Sequence, residues 1–129
     1  MTRLLQLLRI SAEFVPIVYP AHAEDASAAT ALSPQDIVEW RTRYRIYRDM
    51  AECGYKSALI LDDSVDMELN IKTIMREIHR HIPSEWDMFF PGHCGAFEGI
   101  QPKPDRSFPS LRHANMPICL HAHAISRKG

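Results

Sequence analysis

The chain has 129 residues, 46% of them hydrophobic and 24% charged, which is the composition of one globular domain and excludes wholesale disorder. Fifteen Lys and Arg against sixteen Asp and Glu leave a formal charge of −1, so electrostatics names neither nucleic acid nor an anionic membrane as the main partner. No apolar run approaches the roughly 20 residues of a membrane span.

Three cysteines, Cys53, Cys94 and Cys119, cannot all pair within one chain. They do not read as a disulfide framework, so a reducing, cytoplasmic compartment is favoured. The segment Met1–Ala23 leaves the secretory pathway open, because Arg3, the leucines after it and Ala21-His22-Ala23 imitate a cleavable leader. Gln6, Arg9 and Glu13 interrupt the apolar stretch such a leader needs.

In chain order, Thr2–Ile10 is a short predicted helix with Leu4, Leu7 and Leu8 on one side. Phe14–Tyr19 is strand-like, although Pro16 confines it to an edge or an irregular strand. Ala23–Leu32, rich in Ala, Ser, Asp and Thr, reads as a loop. Ser33-Pro34-Gln35-Asp36 then combines an N-cap serine, a proline at the first helical position and an acid at the third. Ile37, Trp40, Tyr44, Tyr47 and Ala51 follow at helical spacing up to Gly54, with Arg41, Arg43, Arg45 and Arg48 mostly off that stripe, as on a solvated face. Ser57–Leu61 (SALIL) is a buried-type strand. Leu69–Ile82 is an amphipathic helix with Ile71, Ile74, Met75, Ile78 and Ile82 as its stripe and Pro83 as its stop. Trp86–Phe90 (WDMFF) is a second buried-type strand closed by Pro91-Gly92. Gly99–Pro117, with four prolines, reads as an irregular loop, and Ile118–Ser126 as the last strand.

Alternation of helix and strand predicts a single α/β domain over residues 1–129, built on a mainly parallel sheet. SALIL and WDMFF are expected as neighbouring parallel strands bridged by Leu69–Ile82. The order starts on a helix and stops abruptly, as in a fold lacking both ends.

The acids Asp62, Asp63 and Asp66 follow SALIL directly, where open α/β sheets bind ligands beyond the carboxyl ends of their strands. Crowded carboxylates call for a cation, and a hard divalent ion would bridge them to phosphate oxygens. Helix capping by Ser64 or Asp66 explains the same residues without a ligand. Cys119, His121 and His123 alternate on the expected last strand, which invites a zinc site. Extended geometry opposes it, because Cys119 and His123 would be about 13 Å apart at the backbone. His93-Cys94 from a neighbouring strand end could add ligands, while packed histidines are the plainer account. His79 and His81 fit the end of a helix, where positive charge is favourable. No GxSxG and no P-loop occurs.

Four blocks resemble the family 25 glycosyltransferases, the group of lipooligosaccharide and procollagen galactosyltransferases, and its fungal members above all. Ser57–Asp66 is similar to the family's "ALILEDDVD" segment, and Leu32–Tyr47, with Trp40-Arg41, to the helix before it. Trp86–Cys94 is similar to "WDIVYLGHC", and Cys119–Gly129 to "CTHAYAISRKGA". Phe14–His22 resembles an early "F…PA" strand weakly, and the likeness covers most of residues 33–129. The resemblance implies a GT-A-like fold and a divalent ion such as Mn²⁺. It also implies inverting transfer of a hexosyl group, galactosyl by the family's example, from a UDP-hexose to a glycan or protein acceptor. It assigns Asp62, Asp63 and His121 to the nucleotide sugar and Asp63 and Asp66 to the ion. Asp62 stands where the family has Glu and Ser64 where it has a further Asp, which removes one anionic ligand. No general base is identified, and a non-catalytic, truncated remnant of such an enzyme is the alternative.

Overall fold

The computed structural model describes residues 1–19, 32–95 and 111–129. They form two compact units, one of Met1–Ser11 with Lys56–Gly129, the other of Ala12–Tyr55. Almost all of the expected loop over Ala23–Leu32, and most of that over Gly99–Pro117, lies outside the described residues.

In the first unit, helix α1 spans Thr2–Leu8 and buries Leu5 and Leu8, while Leu7 stays exposed. In the second, helix α2 spans Pro34–Glu52 and begins on the expected chemistry. The Ser33 hydroxyl oxygen accepts from the Asp36 N–H, and the Asp36 carboxylate accepts in return from the Ser33 N–H at 3.1 Å. Two backbone donors at the helix start are thereby satisfied. The covered positions of α2 differ from the expected stripe. Ile37 and Met50 are buried, whereas Trp40 and Tyr44 are exposed and stack on each other with ring centroids 5.2 Å apart. The arginines form same-helix ion pairs, Arg43 with Glu39 and Arg48 with Glu52. Phe14–Tyr19 is not a strand. The Val18 N–H donates to Thr42 Oγ1 at 3.0 Å rather than to a ladder, and Pro16 has no N–H to give.

The first unit carries a three-stranded sheet. Strand β1 is Ser57–Leu61, helix α3 is Ile71–His81, strand β2 is Met88–Gly92 and strand β3 is Ala122–Ser126. The order is β1-β3-β2, and β3 pairs antiparallel with both neighbours. This corrects the expectation of a GT-A-like, mainly parallel sheet. β1 and β2 do run in one direction, with α3 between them in sequence, but they are not neighbours. The returning chain inserts β3 between them and takes both sets of ladder hydrogen bonds. Helix–strand alternation encodes element type, and strand order is decided by this later, non-local pairing.

β3 starts at Ala122, four residues after the expected start, and its first four residues are buried, as befits a central strand. β2 continues through Pro91, beyond its expected end at Phe90. Its pairing slips by one residue between Phe89 and Gly92, a bulge at an edge position where a proline's missing N–H costs no ladder bond. The core of this unit is Leu5, Leu8, Ile60, Leu111, Ala122, Ala124 and Ile125. The stripe Ile71, Ile74, Met75 and Ile78 of α3 lines a cleft of about 230 Å³ with Phe89 and Pro91 of β2. α3 is shorter than Leu69–Ile82, and it ends before Pro83 as expected. No helix among the described residues is long and apolar enough to cross a membrane.

Candidate functional site

The carboxyl end of β1, the carboxyl end of β2 and the approach to β3 lie at one end of the sheet. Just beyond β1, the Asp62 N–H donates to the His121 carbonyl at 2.8 Å, which extends the β1–β3 pairing by one residue. The Asp62 carbonyl then accepts from the Val65 N–H at 3.2 Å, closing a turn over Asp63 and Ser64. Asp62 is half-buried, and Asp63, Ser64 and Asp66 are exposed. The Asp66 carboxylate accepts from the Met67 N–H at 2.9 Å. The N-cap of α3 is Asn70, so neither Ser64 nor Asp66 caps that helix.

On the β2 side, the Cys94 N–H donates to the Ile118 carbonyl at 2.9 Å and the Ile118 N–H donates to the Gly95 carbonyl at 3.0 Å. These bonds set Cys94 beside Cys119, and the two form a disulfide with Cα atoms 5.6 Å apart. Cys53 is free and exposed. Three cysteines that cannot all pair, and that do not read as a disulfide framework, thus hold one disulfide and one free thiol. Two of the three do pair, because a backbone bridge that spacing alone does not reveal puts them within disulfide reach.

His121 sits among these groups. Its Nδ1 lies 3.7 Å from Cys94 Sγ. A Cβ placed on Gly92 would come 2.9 Å from its Nε2 and 3.2 Å from the Ala122 Cβ. Gly92 thus leaves the space in which the imidazole lies. His123, one turn of the pleat further, is fully buried and its Nδ1 lies 2.8 Å from the Leu120 carbonyl. The expected alternation of Cys119, His121 and His123 along one strand does not occur. Cys119 precedes β3 and adopts a left-handed backbone with φ 72°. Sequence reasoning missed the grouping of Cys94, Cys119 and His121 for that reason, although it had noted that His93-Cys94 could approach.

Of the residues singled out by the resemblance, Asp62 and His121 are brought together through their backbones, and Asp63 is next to them in the turn. Asp63 and Asp66 offer hard oxygen ligands on the surface. Among the described residues, the set of three or more metal-ligating side chains that converges is Cys94, Cys119 and His121, with candidate ligand atoms within 4.8 Å of one another. Sulfur and nitrogen donors suit zinc rather than manganese, which takes carboxylate, carbonyl and water. This cluster is therefore not the carboxylate site that the resemblance implies for Mn²⁺, and Asp63 and Asp66 are not part of it. Comparison with protein-family models, curated proteins and solved structures returns no match to this chain.

Proposed function

We propose that the sheet end around Asp62, Asp63 and His121 binds a nucleotide sugar, a UDP-hexose, and that the chain serves transfer of the hexosyl group to a glycan or protein acceptor. The observation that carries this reading is the hydrogen bond from the Asp62 N–H to the His121 carbonyl. It joins, at one end of the sheet, two of the segments that carry the resemblance to family 25 glycosyltransferases. The chemistry of these side chains suits such a ligand. Carboxylates accept hydrogen bonds from ribose or hexose hydroxyls, and an imidazole can donate one to a diphosphate oxygen. In the transfer itself, an acceptor hydroxyl attacks the anomeric carbon and gives up its proton to solvent, while the bond to the UDP oxygen breaks and UDP leaves with that electron pair.

Calorimetric titration of UDP into the full chain, with and without Mn²⁺ in the buffer, tests the reading. Binding is expected in the parent, weakened about tenfold or more in Asp63→Asn, as loss of a charge-assisted hydrogen bond implies. Absence of heat in the parent under both conditions, or unchanged affinity in both Asp63→Asn and His121→Ala, refutes it. Ser64, where the family carries an acid, favours a second reading, a non-catalytic remnant of such an enzyme. That reading predicts weak or absent UDP binding and no turnover of UDP-hexose.

A further inference from the structure

We propose that Cys94, Cys119 and His121 form a zinc site gated by the redox state of the two cysteines, closed while they are joined and opened by a dithiol reductant. The inference goes beyond the nucleotide-sugar reading and stands without it, because its test uses metal alone.

The two sulfurs are held near each other by more than their bond. The hydrogen bonds from Cys94 to Ile118 and from Ile118 to Gly95 are made by the backbone and do not require the disulfide. After reduction the thiols therefore remain side by side. Zinc bonds of about 2.3 Å to sulfur and about 2.0–2.1 Å to nitrogen put the ligand atoms of one tetrahedral ion about 3.5–3.8 Å apart. The separation of His121 Nδ1 from Cys94 Sγ, 3.7 Å, already has this value. The remaining separations lie within 4.8 Å, a gap that side-chain rotation closes once the sulfurs part. The imidazole is pre-positioned, since the His121 backbone is tied to Asp62 and its ring lies against Gly92. Both cysteines are exposed, so a reductant and an ion can reach them, and solvent can fill the fourth position. The donor set, two soft thiolates and an imidazole, selects zinc over manganese, magnesium or calcium.

The dithiol reductant passes two electrons and two protons to the protein disulfide and itself becomes a cyclic disulfide. The sulfur–sulfur bond of Cys94 and Cys119 breaks and two thiols form. Zinc then displaces both thiol protons to the buffer while neutral His121 binds through a ring nitrogen. The two thiolate charges neutralise the ion.

The test uses the full chain carrying Cys53→Ser, so that every remaining thiol belongs to the pair, with Co²⁺ as the spectroscopic probe. The reduced protein is expected to bind about one Co²⁺ per chain, with thiolate-to-cobalt charge transfer and the visible bands of a tetrahedral ion. Zn²⁺ should displace the cobalt. The oxidised protein should show neither feature. His121→Ala keeps both thiols and should weaken Zn²⁺ by at least the roughly 10–100-fold that loss of a mere outer-shell partner costs. Circular dichroism follows the fold throughout, and a chain that loosens on reduction should regain its spectrum with Zn²⁺. No charge-transfer band in the reduced chain overturns the proposal, as does unchanged Zn²⁺ affinity in His121→Ala. So does a reduced chain that stays unfolded with Zn²⁺ present.

Discussion

Breaking the Cys94–Cys119 bond without supplying metal should be the most damaging small change to the first unit. The bond spans a sequence separation of 25 residues. In the chain-entropy account, closing a loop of that length removes about 12 cal/mol/K from the unfolded ensemble, worth about 3.5 kcal/mol at 25 °C. Both cysteines are exposed, so Cys94→Ser sacrifices little apolar burial and the cost is that of the cross-link itself. For a 129-residue chain unfolding in one transition, the unfolding entropy is about 0.27 kcal/mol/K, which turns the loss into a fall in Tm of about 13 °C. The assay is thermal unfolding by far-ultraviolet circular dichroism of oxidised parent, reduced parent and Cys94→Ser, all with a chelator present. Cys53→Ser serves as the control, because Cys53 is exposed at the end of α2 and bonded to no other cysteine. If the three forms melt within about 2 °C of one another, the cross-link does not constrain the unfolded chain and the reasoning fails.

Two further outcomes follow from local geometry. The Asp36 carboxyl is held below the usual carboxylate range by its hydrogen bonds from the Ser33 hydroxyl and backbone N–H, and Glu39 is lowered by the Gln35 side chain and then by Arg43. A lowered folded value means these groups bind protons more readily in the unfolded chain, so their contribution is complete above the ordinary carboxylate range and is lost as pH falls from there through the lowered folded values. Ser33→Ala should cost about 1 kcal/mol at neutral pH and flatten the acid limb of a urea-midpoint profile. An unchanged limb would remove the capping box from the account. Gly92→Ala pushes a methyl group against His121 Nε2 and against the Ala122 Cβ of the central strand. It should cost about 1–3 kcal/mol and shift the imidazole resonances of His121, and a neutral variant with unmoved resonances would show that the ring does not rest there.

What was legible in the sequence is what local chemistry decides. The start of α2 followed from Ser33, Pro34 and Asp36 because a capping box is complete within four residues. The apolar stripe of α3 followed from its period, and its end from Pro83. SALIL was legible as a strand from its apolar run, followed at once by Asp62 and Asp63, but not as an edge strand: β1 leaves Leu59 exposed instead of being covered on both faces. Sheet order was not legible, since nothing in a strand's own residues states which partner it will meet. The face of α2 was also misjudged. Trp40 and Tyr44 lie at helical spacing and were assigned to the covered side, yet they cover each other in solvent, a same-helix i,i+4 contact that satisfies part of their apolar area.

The candidate site turns on two left-handed residues, Met116 and Cys119. Treating Ile118–Ser126 as extended put Cys119 and His123 too far apart for joint chemistry and hid the partnership with Cys94. In the structure, Met116 with φ 52° and Cys119 with φ 72° bracket Pro117 and Ile118 in left-handed conformations. Neither residue is glycine, so each angle costs on the order of 1–2 kcal/mol. A chain holds such angles only where its surroundings over-determine them. Here the surroundings are the Gly95–Ile118 bridge, the bond to Cys94 and the tie from His121 to Asp62. Each of these joins segments far apart in sequence, so no window around Cys119 contains the information that fixes it. The strain and the cluster have a common origin. The same reversal that makes Cys119 unfavourable locally delivers its sulfur to Cys94 and sets His121 beside both, at the end of the sheet where Asp62 and Asp63 emerge.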